Sequence, residues 1–221
     1  MPVNLLRTGA RLAATALSVA SAGVLLGAGP ATAQGCSDVE LIFARGTSEP
    51  VGIGRVGQAL ADAMRPLLGG RTLSTYGVIY PATYDFLNTA AGATDATARI
   101  ASVSSQCPGT RFVLGGYSQG AAVIDMLAGV PPLGNRIGDI GSAPPLPSNY
   151  VSDVAAVAVF GNPATKFGNP VSARGLFAGR SVDLCSDGDP ICSDGRNPFA
   201  HTRYESSPFI GQAAGFAAGL V

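Results

Sequence analysis

Gly116-Tyr117-Ser118-Gln119-Gly120 stands between two apolar runs, Phe112-Val113-Leu114 before it and Ala121-Ala122-Val123-Ile124 after it. The sequence reads as strand, sharp turn and helix, with a serine at the turn. Glycines two before and two after that serine let the strand and helix backbones approach without a Cβ between them. The serine hydroxyl is then held out at the end of the sheet. The first backbone N–H groups of the helix point toward whatever it attacks, so a developing oxyanion meets donors already in place. This is the pattern of a nucleophile elbow. A Gly/Ser-rich turn of no catalytic importance has the same five letters, so the reading depends on whether the rest of the chain supplies partners for Ser118.

The chain has 221 residues, 47% of them hydrophobic and 13% charged, with 14 acidic and 14 basic groups. That is the size of one globular domain. The neutral balance offers no basic field for nucleic acid and no polybasic patch for an anionic membrane. Residues 1–33 differ in kind: Arg7 and Arg11 precede a stretch from Leu12 to Gly27 rich in Ala, Leu, Val, Ser and Gly, and Ala31-Thr32-Ala33 follows. This pattern predicts a secretory signal peptide cleaved before Gln34. Its core is too short and too diluted for a stable membrane span, which needs about 20 mostly apolar residues. A lipidated Cys36 would leave an odd number of cysteines, and Ala33-Gln34-Gly35 is a poor approach to such a site. Residues 34–221 are expected to form a single exported domain, extracellular or in the cell envelope, acting as a monomer. Arg7 and Arg11 lie before it, so 12 basic groups face 14 acidic ones, a formal charge of −2.

All four cysteines fall in this domain, and an even count in an exported chain favours two disulfides. Three pairings exist. The closeness of Cys185 and Cys192 favours their joining each other, which leaves Cys36 with Cys107. In the chain-entropy account the long bridge restricts the unfolded chain by about 4 kcal/mol and the short one by about 2–3 kcal/mol. Zinc does not fit, because the Cys185/Cys192 spacing is wrong and no histidine accompanies either pair. No metal or cofactor is expected.

Val39–Ala44 reads as the first strand, closed by the polar loop Arg45-Gly46-Thr47-Ser48-Glu49-Pro50. Gly52-Ile53-Gly54-Arg55-Val56-Gly57 matches the dinucleotide-binding fingerprint letter for letter. That motif, however, needs its first glycine directly after the strand and an acidic residue about 20 positions on, and Leu73–Tyr80 has none. It is read instead as the entry to a helix reaching about Leu68. Leu73–Tyr80 is the second predicted strand. Asp85–Gln106 is a helix with Leu87, Ala90, Ala91, Thr94, Ala98 and Ala101 toward the sheet. Arg111–Tyr117 is the third strand. The helix after Ser118 is apolar almost all round to Leu127 and stops at Gly129. Pro131–Asn149 reads as a surface excursion, Val154–Phe160 as a strand buried on both faces, and Arg180–Leu184 as a weaker fifth strand. A C-terminal helix starts with Ser207 as cap and Pro208 at its first position, and places Phe209, Ala213, Phe216 and Leu220 on one stripe. Strands alternating with helices imply a parallel sheet covered on both faces, a three-layer α/β/α sandwich. Reactive residues should then gather at the carboxyl ends of the strands, where Ser118 and Arg45–Glu49 lie.

A serine hydroxyl needs a base within hydrogen-bond reach. The chain contains one histidine, His201, and one lysine, Lys166. His201 lies in a loop-like stretch after the last strand, where the histidine of a Ser, acid, His order falls. The third group must be a carboxylate that holds the imidazole tautomer. Asp183, Asp187, Asp189 and Asp194 are candidates; Asp189 is chosen and Asp187 placed second, because both lie in the Cys185–Cys192 loop and Pro190 stiffens the residue after Asp189. A calcium loop fails, since Ile191 and Pro198 stand where oxygen ligands are needed. Two loops, Pro81–Asn88 with Tyr84 and Phe86, and Pro190–Ala200 with Ile191 and Phe199, are expected to form an apolar rim for an acyl chain.

Val39-Glu40-Leu41-Ile42-Phe43-Ala44-Arg45-Gly46-Thr47, Gly116–Gly120, Cys185-Ser186-Asp187-Gly188-Asp189-Pro190-Ile191-Cys192 and His201, in this order, resemble the cutinase family, and within it the secreted cutinase-like proteins of actinobacteria. The resemblance implies a lidless α/β-hydrolase sandwich around a five-stranded parallel sheet. It makes Ser118 the nucleophile, His201 the base and Asp189 the acid, and gives the same two disulfides. It also makes the backbone N–H groups of Thr47 and Gln119 the oxyanion hole. Fungal members carry Ser-Thr where this chain has Thr47-Ser48, a change that leaves the backbone donor intact. The expected activity is hydrolysis of carboxylic esters with short- to medium-chain acyl groups, in a cutin-like polyester or a lipid. A phospholipase, a thioesterase or an acetylxylan esterase would use the same residues. A binding or surface protein on a hydrolase scaffold is the non-enzymatic rival, and the assembled Ser, His, Asp set argues against it.

Overall fold

Runs of β-branched, aromatic and small apolar residues, bounded by Gly, Pro and Asp, build a five-stranded sheet in the computed structural model, which describes Met1 and residues 35–134 and 140–221. The strands are Val39–Ala44 (β1), Leu73–Gly77 (β2), Arg111–Tyr117 (β3), Val154–Phe160 (β4) and Ser181–Leu184 (β5). All neighbours run parallel, in the order β2-β1-β3-β4-β5. β1 and β4 are buried along their whole length, which is why they read as continuous apolar runs. The longer helices are Gly54–Met64 (α1), Thr89–Gln106 (α2), Gln119–Ala128 (α3) and, with the one-turn helices Ser148–Val151 (α4), Pro163–Lys166 (α5) and Pro198–His201 (α6) between, Phe209–Ala218 (α7).

The period-two alternation of the strands decides which helices cover which face. Ile42, Leu114, Val157 and Val159 point to a core shared with α2 and α3. Leu41, Phe43, Val113, Ala158 and Phe160 point to a second core shared with α1 and α7. The result is a three-layer α/β/α sandwich. Glu40 is an exception on β1: its buried carboxylate is gripped by Arg99 of α2 at 2.7 and 2.9 Å, which ties that helix to the sheet. Disulfides join Cys36 to Cys107 and Cys185 to Cys192, 71 and 7 residues apart. The sheet, the helices and the site all belong to the unit Cys36–Val221. The expected signal peptide and its junction before Gln34 lie outside the described residues. Among the described residues no helix is long and apolar enough to cross a membrane.

Several elements differ from the sequence reading for identifiable reasons. β2 ends at Gly77 rather than Tyr80, because Ile79 N–H donates to Asp95 and the carbonyls of Val78 and Tyr80 accept from Arg45. A 3-10 turn occupies Phe86–Asn88 before α2 begins at Thr89. The buried face of α2 is Thr89, Gly92, Ala93, Ala96, Ile100 and Val103, so Ala91, Thr94 and Ala98 lie on its exposed side, and Leu87, in the preceding turn, is exposed as well. Alanines all round the helix gave no contrast, and the larger Ile100 and Val103 decide the face. α1 ends at Met64 and continues as a 3-10 turn to Leu67. β5 starts at Ser181. The Ser207 hydroxyl donates to Tyr204 O instead of capping α7, whose buried residues are Ile210, Ala213, Ala214 and Ala217, with Leu220 exposed. Within the Pro131–Asn149 excursion, Ile140 and Leu146 are buried in the core.

α3 is buried over all ten residues, and with them Asp125. Its Oδ1 accepts from Asn162 Nδ2 at 2.9 Å, and its Oδ2 has no partner among the described residues. Burial drives its pKa well above the ordinary 3.8; the Asn162 bond opposes this and the nearby Asp183 adds to it. The folded chain therefore keeps a proton that the unfolded chain releases above pH 3.8, so this group makes stability fall as pH rises from that value toward the folded pKa, by about 1.4 kcal/mol per unit inside the window. Asp125→Asn removes the titration. Thermal melts of both proteins from about pH 4 to about pH 8 should show the variant gaining on the wild type as pH rises; a constant gap would mean that Asp125 is ionised in the fold.

Candidate active site

The chain leaves β1 for its outer neighbour β2 and then returns to lay β3 on the other side of β1. β1 and β3 therefore flank the point where strand order reverses, and a crevice opens there at their carboxyl ends. The loop Arg45–Pro50 follows one strand, and Ser118 follows the other.

Ser118 takes φ 56° and ψ −117°, a left-handed conformation that costs a non-glycine residue about 1–3 kcal/mol. Its neighbours hold it there: Ser118 N–H donates to Phe160 O at 2.9 Å, and Ser118 O accepts from Ala121 N–H at 2.9 Å. The close crossing also explains the flanking glycines. A Cβ on Gly120 would lie 1.9 Å from Ala44 O, and one on Gly116 would lie 2.3 Å from Gly120 O.

His201 is the last residue of α6, a turn started by Pro198 and capped by Asn197 Oδ1, which accepts from Phe199 N–H. Its Nε2 lies 2.8 Å from Ser118 Oγ and its Nδ1 lies 2.8 Å from Asp189 Oδ2. With Asp189 ionised, Nδ1 carries the proton and Nε2 is left to accept from the serine. Tyr117 fixes the histidine further, donating its hydroxyl to His201 O at 2.5 Å with the two rings 5.2 Å apart. Burial raises the Tyr117 pKa, so this donor keeps its proton.

Asp189 is fully buried inside the Cys185–Cys192 loop. Burial alone would raise its pKa, but the hydrogen bonds from His201, from Tyr204 (2.6 Å, to Oδ2) and from Ile191 N–H (2.7 Å, to Oδ1) outweigh it and hold the carboxyl below 3.8. The other three aspartates do not reach the histidine. Asp187 and Asp194 are exposed. Asp183 accepts from Asn162, Thr165 and Ser172 N–H, and so ties down the loop after β4.

The first loop is held by two side chains whose bracing role the sequence did not show. Arg45 is buried and donates to the carbonyls of Glu49, Val78, Tyr80 and Pro81, which binds the loop after β1 to the loop after β2. Glu49 accepts from Gly46 N–H at 2.7 Å and from Arg55 N–H at 3.1 Å. Its carboxylate thus sits at the N-terminus of α1, within the Gly52–Gly57 stretch, in the place a pyrophosphate takes in a dinucleotide fold. Thr47 donates its hydroxyl to Gln119 Oε1 at 2.9 Å, while Gln119 Nε2 donates to the buried Thr89 Oγ1 at 2.8 Å. That chain fixes the Gln119 amide orientation and engages the Thr47 hydroxyl as a donor. Neither the Thr47 nor the Gln119 backbone N–H has an acceptor among the described residues.

Ser118, His201, Thr47 and Gln119 open into a cavity of about 480 Å³ whose apolar wall is Tyr84, Phe86, Leu133, Ile140, Pro163 and Ile191. Phe199 does not line it; the side chain is 66% exposed on α6. Leu133 and Ile140 come from the excursion after α3, which has no strong hydrophobic period to announce them. Tyr117 and Tyr204 were also missed, because nothing in a single sequence says which tyrosine faces a carboxylate. A wider, shallower groove of about 830 Å³ beside the start of α1 does not reach Ser118.

The family model described as Cutinase matches residues 35–221. The chain is 44% identical over 95% of its length, and 90% of the relative's, to the phospholipase Culp4 of Mycobacterium tuberculosis. It is 47% identical over 88% of its length, and 74% of the relative's, to the probable carboxylesterase Culp3 of the same species. Among solved structures it is similar to a Trichoderma reesei cutinase in complex with a phosphonate inhibitor, with a TM-score of 0.67 and 35% identity, covering 84% of this chain and 77% of the other. With a match across the whole folded unit and relatives of this similarity over most of its length, the chain belongs to the cutinase family.

Proposed function

We propose that this member of the cutinase family, a carboxylic ester hydrolase, works by two-step acyl transfer from Ser118. One observation carries the reading: a continuous hydrogen-bonded line from Ser118 Oγ through the His201 ring to the buried Asp189, opening into an apolar cavity. Ser118 Oγ attacks the ester carbonyl while His201 Nε2 takes its proton, and Asp189 stabilises the imidazolium that forms. The carbonyl oxygen, now negative, takes hydrogen bonds from the Thr47 and Gln119 N–H groups. His201 then protonates the alcohol as its bond to the acyl carbon breaks; a water gives its proton to the same nitrogen and attacks the acyl carbon, the Ser118 Oγ–acyl bond breaks, Ser118 Oγ takes that proton back and the acid leaves. The scheme needs no metal or cofactor. The Thr47 hydroxyl, engaged with Gln119, adds no third donor.

The apolar wall, with its cavity of about 480 Å³, suits a short- to medium-chain acyl group. Because the Culp4 relative is named a phospholipase, a phospholipid acyl ester is the second substrate to try against simple esters. The two disulfides and the signal-like N-terminus support export, with residues 34–221 as the working domain.

Ser118→Ala should abolish ester turnover and leave the melting profile intact. Asp189→Asn should lower kcat by about 10⁴-fold, as in another triad enzyme, whereas Asp187→Asn should be close to neutral. Greater damage from the Asp187 change would overturn the choice of acid. A series of esters from C2 to C16 acyl chains should peak at short to medium length. It should also show no sharp rise in rate where the substrate passes its solubility limit; a jump there would argue for a lid.

A further inference from the structure

We propose that Tyr204 is a positioning residue for the acid and histidine pair, fixing the Asp189 carboxylate and setting how strongly it favours a protonated imidazole. This rests on the reading of Ser118, His201 and Asp189 as the reacting set. The Tyr204 hydroxyl donates to Asp189 Oδ2 at 2.6 Å, the same oxygen that faces His201 Nδ1. It accepts in turn from Ser186 N–H at 2.9 Å and lies 3.5 Å from Cys192 Sγ. One phenolic oxygen therefore touches both ends of the disulfide-closed loop and the carboxylate held within it. Ile191 N–H occupies the other carboxylate oxygen from inside the loop. Tyr204 supplies the donor from outside.

The ring is held as firmly as its hydroxyl. It is buried among Tyr117, His201, Phe160 and Phe209, with centroids 5.7 to 6.2 Å away. Its carbonyl accepts from Ser207 Oγ at 2.8 Å, which links the tyrosine to the start of α7. Burial, and then the bond to Asp189, raise the phenol's pKa, so it stays a donor throughout the working range. The titratable groups that face it are Asp189, His201 and Tyr117. The adjacent Glu205 is paired with Arg55 of α1, and α7 carries no charged residue.

The consequence is chemical as well as structural. A hydrogen bond to Oδ2 spreads the carboxylate's charge and leaves it one orientation toward the imidazole. Without that bond the carboxylate can turn, and its undivided charge favours the imidazolium even before the serine proton is transferred. Turnover falls, and the fraction of enzyme with a neutral base is reached only at higher pH. Substrate binding is untouched, since Tyr204 does not line the cavity.

Tyr204→Phe keeps the ring and removes the hydroxyl. For a soluble p-nitrophenyl butyrate substrate, with active sites counted by burst titration, kcat per active site should fall about 10- to 100-fold, the scale of one hydrogen bond to a charged group. KM should change less than about 2-fold, and the acid limb of kcat/KM should move to higher pH. A second variant with 3-fluorotyrosine at position 204 keeps the fold and donates more strongly, so its acid limb should move to lower pH. An unchanged profile in both variants overturns the proposal, as does a loss fully explained by fewer titratable active sites. If Ser118→Ala retains turnover, the triad reading itself fails; if Ser118→Ala is inactive while the Tyr204 variants match the wild type, only the role of Tyr204 fails.

Discussion

The tightest constraint in the fold is the passage of α3 over the ends of β1 and β3. At Gly120 the helix backbone comes so close to Ala44 O that a methyl group would overlap it. That approach brings the start of α3 and the loop after β1 to the same crevice, and it holds Ser118 in a conformation that serine otherwise avoids. Two parallel strands with connections leaving in opposite directions make the crevice, and the missing Cβ atoms let it close. Everything else around Ser118 is arranged relative to that crossing.

Rigidity at the crossing is supplied by buried polar groups that have their partners. Arg45 spends its guanidinium on backbone carbonyls, Glu49 caps α1 and holds Gly46, and Asp189 accepts from a histidine, a tyrosine and a backbone N–H. Each is a polar group removed from water, and each is compensated by several hydrogen bonds, as burial requires. Asp125 is the contrasting case: one of its oxygens has no partner among the described residues, and burial pushes its pKa well up. Charge around the crevice is thus placed by backbone geometry more than by opposite charges.

What could be read from the sequence follows from the same physics. β1, β3 and β4 were legible to the residue, because a strand buried on both faces leaves a continuous apolar run. β2 was blurred at its end, where Arg45 and Asp95 compete for backbone groups. The facing of α2 was misread because alanine on every side carries no direction. Around the site, scarcity was informative: one histidine and a disulfide-closed loop narrowed the partners of Ser118, and these residues do meet in space. Thr47 and Gln119 entered only through the resemblance to cutinases. Tyr204 was invisible, since its partner Asp189 lies 15 residues away and no local pattern marks the pair; Arg45 and Glu49 stood in the loop after β1, but nothing local told that their side chains hold backbone groups rather than face the substrate.

Activation of Ser118 by His201 is tested most directly by covalent labelling with a fluorophosphonate, which reacts with an activated serine whatever the natural substrate is. Peptide mapping by mass spectrometry should place a single adduct on Ser118, formed rapidly in the wild-type protein and lost on His201→Ala. An unlabelled Ser118 in folded protein, or labelling that survives the loss of His201 at the same rate, would contradict the proposed chemistry.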